Sequence, residues 1–447
     1  MVTKPTPVTT SDDIDLDAVK YDSNGLIVLP EDRFFNPWWI ALGQNLKEVV
    51  KEAQFMIANY EIHFKLRQRG RKPADQIVFN DTVEAIICDM MIVHLKEDRR
   101  GSAISLSNQV LGRRSRYRPS AFSKTLPHIL KCMVSPEMDF IRLQKGEEKH
   151  FNNRGQRTLI WPGWRTIDRI ENHNVCLADI GKKASEEIII LKATKQGFWD
   201  DKVYLEYGDT EQTLKMRNDL AVVNQWLGQA DISIDANGLL VQRPIPIQDR
   251  RLRRIFTRGS FESGGRLFGG FWQPMRKDER MQAIEINGEP VVGLDYGQIA
   301  PRIAYGLAGA KPAQDDLYQI GNNHPVYRDG MKKLINALLS CEKPLTRKPK
   351  KLKELLPPQA IDVLIQEVRE AHKPIAPFFC NGACHRLQFI ESTIMMGVLL
   401  RLRTEGIVAL PIHDGLLVAE SVMEVTQKVM EDVAEEVAGI NIPVDQE

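Results

Sequence analysis

Two apolar segments, far apart in the chain, each end in an aspartate. Residues 291–294 run directly into Asp295, and residues 407–412 run into His413 and Asp414. Short apolar runs bounded by turn residues are typical of buried strands, and a further apolar run after Asp414 predicts a hairpin with that residue at its tip. The pattern places both carboxylates at exposed strand ends. Two such aspartates on neighbouring strands can hold two divalent cations for in-line phosphoryl transfer. Alone, either would be interpreted as a turn residue.

Composition excludes several classes of protein. The chain has 447 residues, of which 43% are hydrophobic and 27% charged, a globular composition that suggests about three domains. No apolar run reaches the roughly 18 residues of a membrane span, and residues 1–17 lack the apolar core of a secretory signal. The cysteines are scattered rather than arranged as a disulfide framework. We therefore expect a cytoplasmic protein with no membrane partner.

The net charge of +1 hides three basic segments. Residues 111–128 and 250–258 each contain five basic residues and no acid, and residues 343–353 contain six and no acid. Such segments attract phosphate backbones. Each of them could equally be a solvated helix face.

The N-terminal part of the chain has the pattern of three helices followed by a hairpin. Helical spacing or helix start signals mark residues 82–96, 103–111 and 119–133. Strand-like runs follow at residues 139–144 and 157–161, with a polar, basic loop between them. This is the order of a winged helix-turn-helix module, in which the third helix enters the major groove and the loop touches the DNA backbone. A generic α+β domain is the alternative interpretation.

Cationic residues lie between the two aspartates. The segment 264–267 (GGRL) precedes Asp295, and a helical pattern further on carries Arg328, Lys332 and Lys333. The i, i+4 spacing of Arg328 and Lys332 puts both cations on one helix face. Such a face can bind a triphosphate, with arginine as a fork and lysine as a point charge.

This order of segments resembles the family A DNA polymerases of the bacterial repair type, over residues 250–447. The matching segments, in chain order, are Gly264-Gly265-Arg266-Leu267-Phe268, motif A from Asp295 to Arg302 (DYGQIAPR), motif B with Arg328 and Lys332 or Lys333, and motif C from Ile412 to Leu416 (IHDGL). Motifs A and C in this order are fairly specific, whereas motif B alone would be weak.

The resemblance implies a role for each matching residue. Asp295 and Asp414, with Tyr296, would bind two Mg²⁺ ions, with Mn²⁺ as an alternative, and Lys332 or Lys333 would be the acid for the leaving pyrophosphate. The nucleotide-binding residues would be Arg328, Lys332, Tyr296, Gln298 and Ala300. The residues near primer and template would be Arg266, His413, Gln388 and Arg302. The implied partners are a DNA primer-template and nucleoside triphosphates.

The resemblance also implies an α+β, right-hand polymerase fold. The resemblance does not extend over the first 250 residues, where composition and pattern predict a flexible tail at residues 1–30 and an N-terminal α+β domain at residues 31–180. Residues 181–260 would form a connecting, thumb-like region. Residues 261–447 would form palm and fingers, with the fingers at about 320–385.

Three departures from the family pattern keep other functions open. Ala300 replaces the glutamate that excludes ribonucleotides, Gly415 replaces the second acid of motif C, and the motif B tyrosine would fall at Ser340 or Cys341. The resemblance favours a DNA polymerase without proofreading. The alternatives are an RNA polymerase or primase that accepts NTPs because of Ala300, and a catalytically inactive DNA-binding regulator.

A zinc site is a further, weaker interpretation of the sequence. Cys380, Cys384 and His385 lie close together, with His372 upstream. A second ligand pair at standard spacing is lacking, so we do not expect zinc at these residues.

Overall fold

Helices and strands are mixed along the chain, which confirms the α+β class. The computed structural model describes residues 20–21, 27–28, 33–98, 100–112, 115–146, 157–194, 203–234, 245, 247–320, 325–349 and 352–446. Two compact units are present, residues 1–113 with 120–175, and residues 114–119 with 176–447. We call them unit 1 and unit 2. No helix in the described part of the chain is long and apolar enough to cross a bilayer.

The predicted tail, residues 1–30, lies largely outside the described residues. Its described parts are two short strands, β1 (Lys20–Tyr21) and β2 (Ile27–Val28), which pair antiparallel.

Unit 1 packs helices against a small antiparallel sheet. Its elements are β3 (Trp39–Ala41), α1 (Gln44–His63), α2 (Pro73–Leu95), β4 (Ser102–Ile104), α3 (Asn108–Leu111), α4 (Leu126–Met133), β5 (Ile141–Gln144), β6 (Thr158–Pro162) and α5 (Trp164–Asn172). Helix α2 begins with Pro73, whose fixed φ suits a first helical position. Strand β6 lies between β4 and β5, so the sheet order is β4-β6-β5.

The predicted bounds of two helices in unit 1 were partly wrong. Residues 102–104 form strand β4, although a helix was predicted for residues 103–111. Their side chains are buried, and their main chain pairs with residues 158–160 of β6. Only the last turn of the predicted segment is helical, as α3. The predicted helix 119–133 begins at Leu126, with Pro127 in its first turn. Most of the predicted basic loop, residues 147–156, lies outside the described residues.

Unit 2 contains two sheets of three or more strands. A three-stranded sheet has β8 (Ile189–Leu191) parallel to β10 (Arg253–Phe256), which pairs antiparallel with β11 (Gly264–Phe268). The larger sheet has the order β14-β15-β13-β12-β9, with β16 also pairing with β13. Its strands are β9 (Ile232–Ile234), β12 (Ile284–Ile286), β13 (Glu289–Tyr296), β14 (Ala409–Ile412), β15 (Gly415–Ala419) and β16 (Val444–Gln446). A short strand, β7 (Ile180–Lys182), begins the unit.

Seven helices complete unit 2. They are α6 (Glu211–Gln229), α7 (Lys277–Ala283), α8 (Ile299–Leu307), α9 (Arg328–Ser340), α10 (Ile361–Ala371), α11 (Cys384–Thr404) and α12 (Met423–Ala438), among the described residues. Helix α9 follows the helical pattern predicted around Arg328, Lys332 and Lys333. One apolar core joins these helices and both sheets. The finer division into thumb-like, palm and fingers regions stays a prediction, as does the right-hand arrangement.

Candidate active site

The two aspartates of the sequence motifs lie on neighbouring strands. Strands β13 and β15 pair antiparallel with Asp295 opposite Gly415, and Asp414 directly precedes Gly415. Strand β14 returns to β15 through a two-residue turn, His413-Asp414, because Ile412 pairs with Gly415. His413 adopts a left-handed φ of 56°, which such tight hairpins require at a turn position. The predicted hairpin with Asp414 at its tip is therefore confirmed.

One cavity brings most of the predicted residues together. Its wall includes eight of them, namely Arg266, Asp295, Tyr296, Gln298, Ala300, Lys332, Gln388 and Asp414. The other residues of the wall are Ile299, Tyr318, Asn336, Leu339, Ser340, Cys384, Leu387 and Glu391. Carboxylates from the large sheet thus face a lysine of α9 and an amide and a carboxylate of α11.

Four predicted site residues do not line the cavity. Both Lys332 and Lys333 are exposed, but adjacent residues of a helix point to different faces, and Lys332 is the one that lines the cavity with the aspartates. Arg328 forms an ion pair with Asp316, at 2.6 Å between Nε and Oδ2. Its guanidinium also lies 5.5 Å from the centroid of the Tyr318 ring, which does line the cavity.

Arg302 and His413 complete the set of predicted residues outside the cavity wall. Arg302 is buried, and its Nη2 donates to the main-chain carbonyl of Asp315 at 2.7 Å. The guanidinium thus holds the chain after α8, and a role of Arg302 near primer or template stays a prediction. The His413 ring packs edge-on against Phe268, with 5.8 Å between the ring centroids. Burial, followed by the positive charges of Arg266 and Arg280, lowers the pKa of His413, although Asp414 opposes this.

The side chain of Tyr296 points into the core. Its hydroxyl donates to the main-chain carbonyl of Met430 at 2.7 Å. Burial raises the pKa of this phenol well above its usual range, so it stays protonated. The phenol of Tyr296 is therefore turned away from a ligand, and its roles at a metal and a nucleotide stay predictions.

A buried ion pair that the sequence did not predict lies in the cavity wall. Arg266 donates from Nε and Nη2 to the two carboxylate oxygens of Glu391, at 2.6 and 2.8 Å. Burial and the nearby charge of Asp414 raise the pKa of Glu391, and the ion pair only partly offsets them. Burial acts to lower the pKa of Arg266, but Glu391 outweighs it and the pKa is raised. The spacing of Gln388 and Glu391 on α11 is the sequence signal for this residue.

Tyr318 is the second residue that the motifs did not indicate. It is buried, and its main-chain N–H donates to Asp316 at 3.1 Å. Burial raises the pKa of Tyr318 to about 12; Asp316 and Asp414 act in the same direction, and Arg328 opposes them. The phenol of Tyr318 therefore stays neutral in the cavity wall.

Gln298 fixes the segment that carries Tyr318. Gln298 has a left-handed φ of 58° where β13 turns into α8. Its side-chain oxygen accepts from Leu317 N at 2.7 Å, and its Nε2 donates to Asp315 O at 3.2 Å. Gln298 therefore lines the cavity but uses its amide to position residues 315–317, rather than leaving both groups for a nucleotide.

Gly415 has a steric reason for lacking the acid found in the family pattern. A Cβ at this position would lie 2.8 Å from Leu294 O and 3.0 Å from Oδ1 of Asp295. Real Cβ atoms do not approach other atoms so closely without displacing them. A side chain here would push against the carboxylate that the motif supplies.

The donors in the cavity fit a hard divalent cation. Asp295 and Asp414 supply carboxylate oxygens, which Mg²⁺ and Mn²⁺ prefer. Glu391 adds a third carboxylate to the wall, although Arg266 occupies both of its oxygens.

The cysteines weighed for zinc are not assembled into a metal site. Cys380 lies beside Cys341, with 3.4 Å between the sulfur atoms. His372 is buried, with its two ring nitrogens bonded to the Tyr305 hydroxyl and the Leu317 carbonyl, both at 2.9 Å. Over the described residues, the metal-ligand type cluster found is a different one, Glu61 with His128 and Cys132 in unit 1.

Comparison with known proteins gives one kind of match. No family model and no curated protein matches this chain. Among solved structures, the chain is similar to the "POL domain of Pol1 from M. smegmatis complex with DNA primer-template and dNTP". The alignment covers 92% of this chain and 66% of that chain, just under two thirds, at 11% sequence identity and a TM-score of 0.31. The function proposed below rests on the cavity and the motifs instead.

Proposed function

We propose that this chain is a template-directed nucleotidyltransferase, a DNA polymerase of the family A type without proofreading. One observation carries the proposal: Asp295 and Asp414, held by paired strands, line one cavity with Lys332 and Arg266. Carboxylates that can hold divalent ions, facing cations that can hold phosphates, are the groups that phosphoryl transfer requires.

Different residues would bind the metal ions and the triphosphate. Asp295 and Asp414 would hold two Mg²⁺ ions, with Mn²⁺ as an alternative, and the bound ions would stabilise the attacking and leaving oxygens. Lys332 would bind the triphosphate and act as the general acid that protonates the leaving pyrophosphate. Arg328, aligned by Asp316, would bind the outer phosphates from the mouth of the cavity.

The opposite wall would hold the nucleic acid. Arg266 is oriented by Glu391, which engages Nε and Nη2 and leaves Nη1 to reach the primer terminus. Gln388 lies one helical turn before Glu391 on α11 and would contact template or primer. The attacking group would be the 3′-hydroxyl of the primer.

A primer-extension assay tests this proposal. A labelled DNA primer on a DNA template is incubated with Mg²⁺ and the protein, in parallel reactions with dNTPs and with NTPs. Extension with dNTPs is the expected result. No extension with either set would contradict the proposal.

Ribonucleotide use is the second candidate, and one residue favours it. Ala300 lines the cavity at the position where the family pattern has a glutamate. Its methyl group leaves room for a 2′-hydroxyl. Extension with NTPs, and above all synthesis without a primer, would support an RNA polymerase or primase instead.

The third candidate, an inactive DNA-binding regulator, draws on unit 1. The order α2, β4, α3, α4, β5, β6 with sheet order β4-β6-β5 is compatible with a winged helix, in which α4 would enter the major groove. A mobility-shift assay with duplex DNA separates the cases. Binding by both the wild type and Asp414→Ala, without extension by either, would favour the regulator.

A further inference from the structure

Three side chains of different chemistry meet inside unit 1. His128 and Cys132 lie one turn apart on α4, and Glu61 lies near the end of α1. Oε1 of Glu61 is 2.8 Å from Nε2 of His128, and that nitrogen is 3.9 Å from the Cys132 sulfur. The three atoms all lie within 4.8 Å of one another.

The surroundings of Glu61 leave one of its oxygens directed at this group. The Glu61 side chain is 1% exposed, and Oε2 is held by Arg71, with Arg67 at 4.0 Å. Arg71 is itself fixed over the Phe79 ring, 3.6 Å from its centroid. The carboxylate is therefore oriented by its arginines through one oxygen, while the other faces the imidazole and the thiol. Partners of this kind orient metal ligands in proteins.

Cys132 is not placed as an ordinary packing cysteine. Its residue is 1% exposed, yet its sulfur faces an imidazole and a carboxylate rather than only apolar groups. Burial first, and then the negative charge of Glu61, raise the pKa of Cys132 to about 11, which disfavours the thiolate without a cation. A divalent cation would reverse that balance, because coordination removes the thiol proton.

We propose that Glu61, His128 and Cys132 form a zinc-binding site that is separate from the cavity of unit 2. Zn²⁺ takes carboxylate, imidazole and thiolate ligands in tetrahedral geometry, with ligand atoms about 3.3–3.6 Å apart. The two distances from Nε2 of His128, 2.8 and 3.9 Å, bracket that range, so a small rotation of His128 would bring both into it. The charges of Zn²⁺, the carboxylate and the thiolate cancel, and Arg71 keeps one positive charge beside Glu61. Binding releases the Cys132 proton to solvent.

The exposed side of the site gives zinc a path and a fourth ligand. The His128 side chain is 40% exposed while Glu61 is almost completely buried. Solvent can therefore supply the remaining coordination position from the His128 side. The site would join α1 to α4 and so stabilise unit 1.

Metal binding by the full-length protein tests this proposal without any activity assay. The purified chain is stripped with a chelator, titrated with ZnCl₂ against a chromophoric zinc indicator, and separately loaded with Co²⁺ for absorption spectroscopy. We expect about one zinc ion per chain and a thiolate-to-cobalt charge-transfer band from a tetrahedral site. Cys132→Ser should abolish that band, and both Cys132→Ser and His128→Gln should weaken zinc binding by about a hundredfold or more.

A matched control and a folding check keep the result interpretable. His173 also lies beside carboxylates, 3.2 Å from Glu52 and 3.7 Å from Glu48, in an arrangement without a cysteine. His173→Gln should therefore bind zinc as the wild type does, and the circular dichroism of the metal-free variants should match that of the wild type. A wild type without the charge-transfer band, or zinc retained equally by Cys132→Ser, would mean an adventitious ion only and would overturn the proposal.

Discussion

The ion pair between Arg266 and Glu391 should be a large, measurable contribution to the stability of unit 2. The side chains are 29% and 4% exposed, so Glu391 is almost fully removed from water and Arg266 largely so. Removing one partner of a buried pair costs about 3–5 kcal/mol, because the other charge is left buried and unpaired. Water can reach part of Arg266, so we expect Glu391→Ala to cost less, about 2–3 kcal/mol.

A double-mutant cycle measures the interaction itself. Urea unfolding followed by tryptophan fluorescence, with Trp272 buried in unit 2, gives the free energy of unfolding of each variant. Burial raises the pKa of Glu391 despite the pair, which shows that desolvation of the carboxylate is expensive. Losing both charges should therefore cost less than the sum of the single changes, with a coupling of about 1–3 kcal/mol between Glu391→Ala and Arg266→Ala. Additive single effects would refute this reasoning.

Three further predictions concern the cavity. Gly415→Ala should slow primer extension by about a hundredfold, because the new Cβ would displace the neighbouring carboxylate of Asp295. Gly228→Ala is the control and should extend at the wild-type rate, because the space around its Cβ is open. Equal rates for the two variants would contradict this. Lys332→Ala should raise the nucleotide concentration needed for half-maximal extension, and Lys333→Ala should leave it unchanged; equal effects would show that the cavity-facing lysine has no special role. The raised pKa of Glu391 favours the fold below the ordinary glutamate pKa of 4.5, and this advantage is lost as pH rises through the folded pKa. The unfolding free energy of the wild type relative to Glu391→Gln should therefore fall between acidic and neutral pH, and a flat difference would contradict the assignment.

The parts of the fold that sequence reasoning predicted have long or distinctive patterns. Helix α9 keeps an amphipathic period over three turns, which local sequence alone determines. The hairpin at Asp414 combines two apolar runs with a two-residue turn. The juxtaposition of Asp295 and Asp414 followed from both lying at strand ends, although only the structure shows that β13 and β15 are neighbours.

The parts that were missed depend on contacts between distant residues. Strand β4 has three residues and exists because β6 pairs with it, which no local pattern reveals. Tyr318 lies in a loop, and its place in the cavity depends on Gln298 holding the residue before it. The zinc-type cluster needs Glu61 from one helix and two residues from another, so the i, i+4 spacing of His128 and Cys132 was the only local trace.

The most direct test of the central claim is single-nucleotide primer extension by carboxylate variants. Asp295→Ala and Asp414→Ala remove the two carboxylates of the cavity wall. Asp445→Ala is the matched control, because Asp445 lies opposite Asp295 on β16 but is exposed and outside that wall. We predict that the first two variants bind primer-template as the wild type does and lose at least about a thousandfold in extension rate, while Asp445→Ala keeps the wild-type rate. Extension by Asp295→Ala or Asp414→Ala at the rate of the control would contradict the assignment of this cavity as the active site.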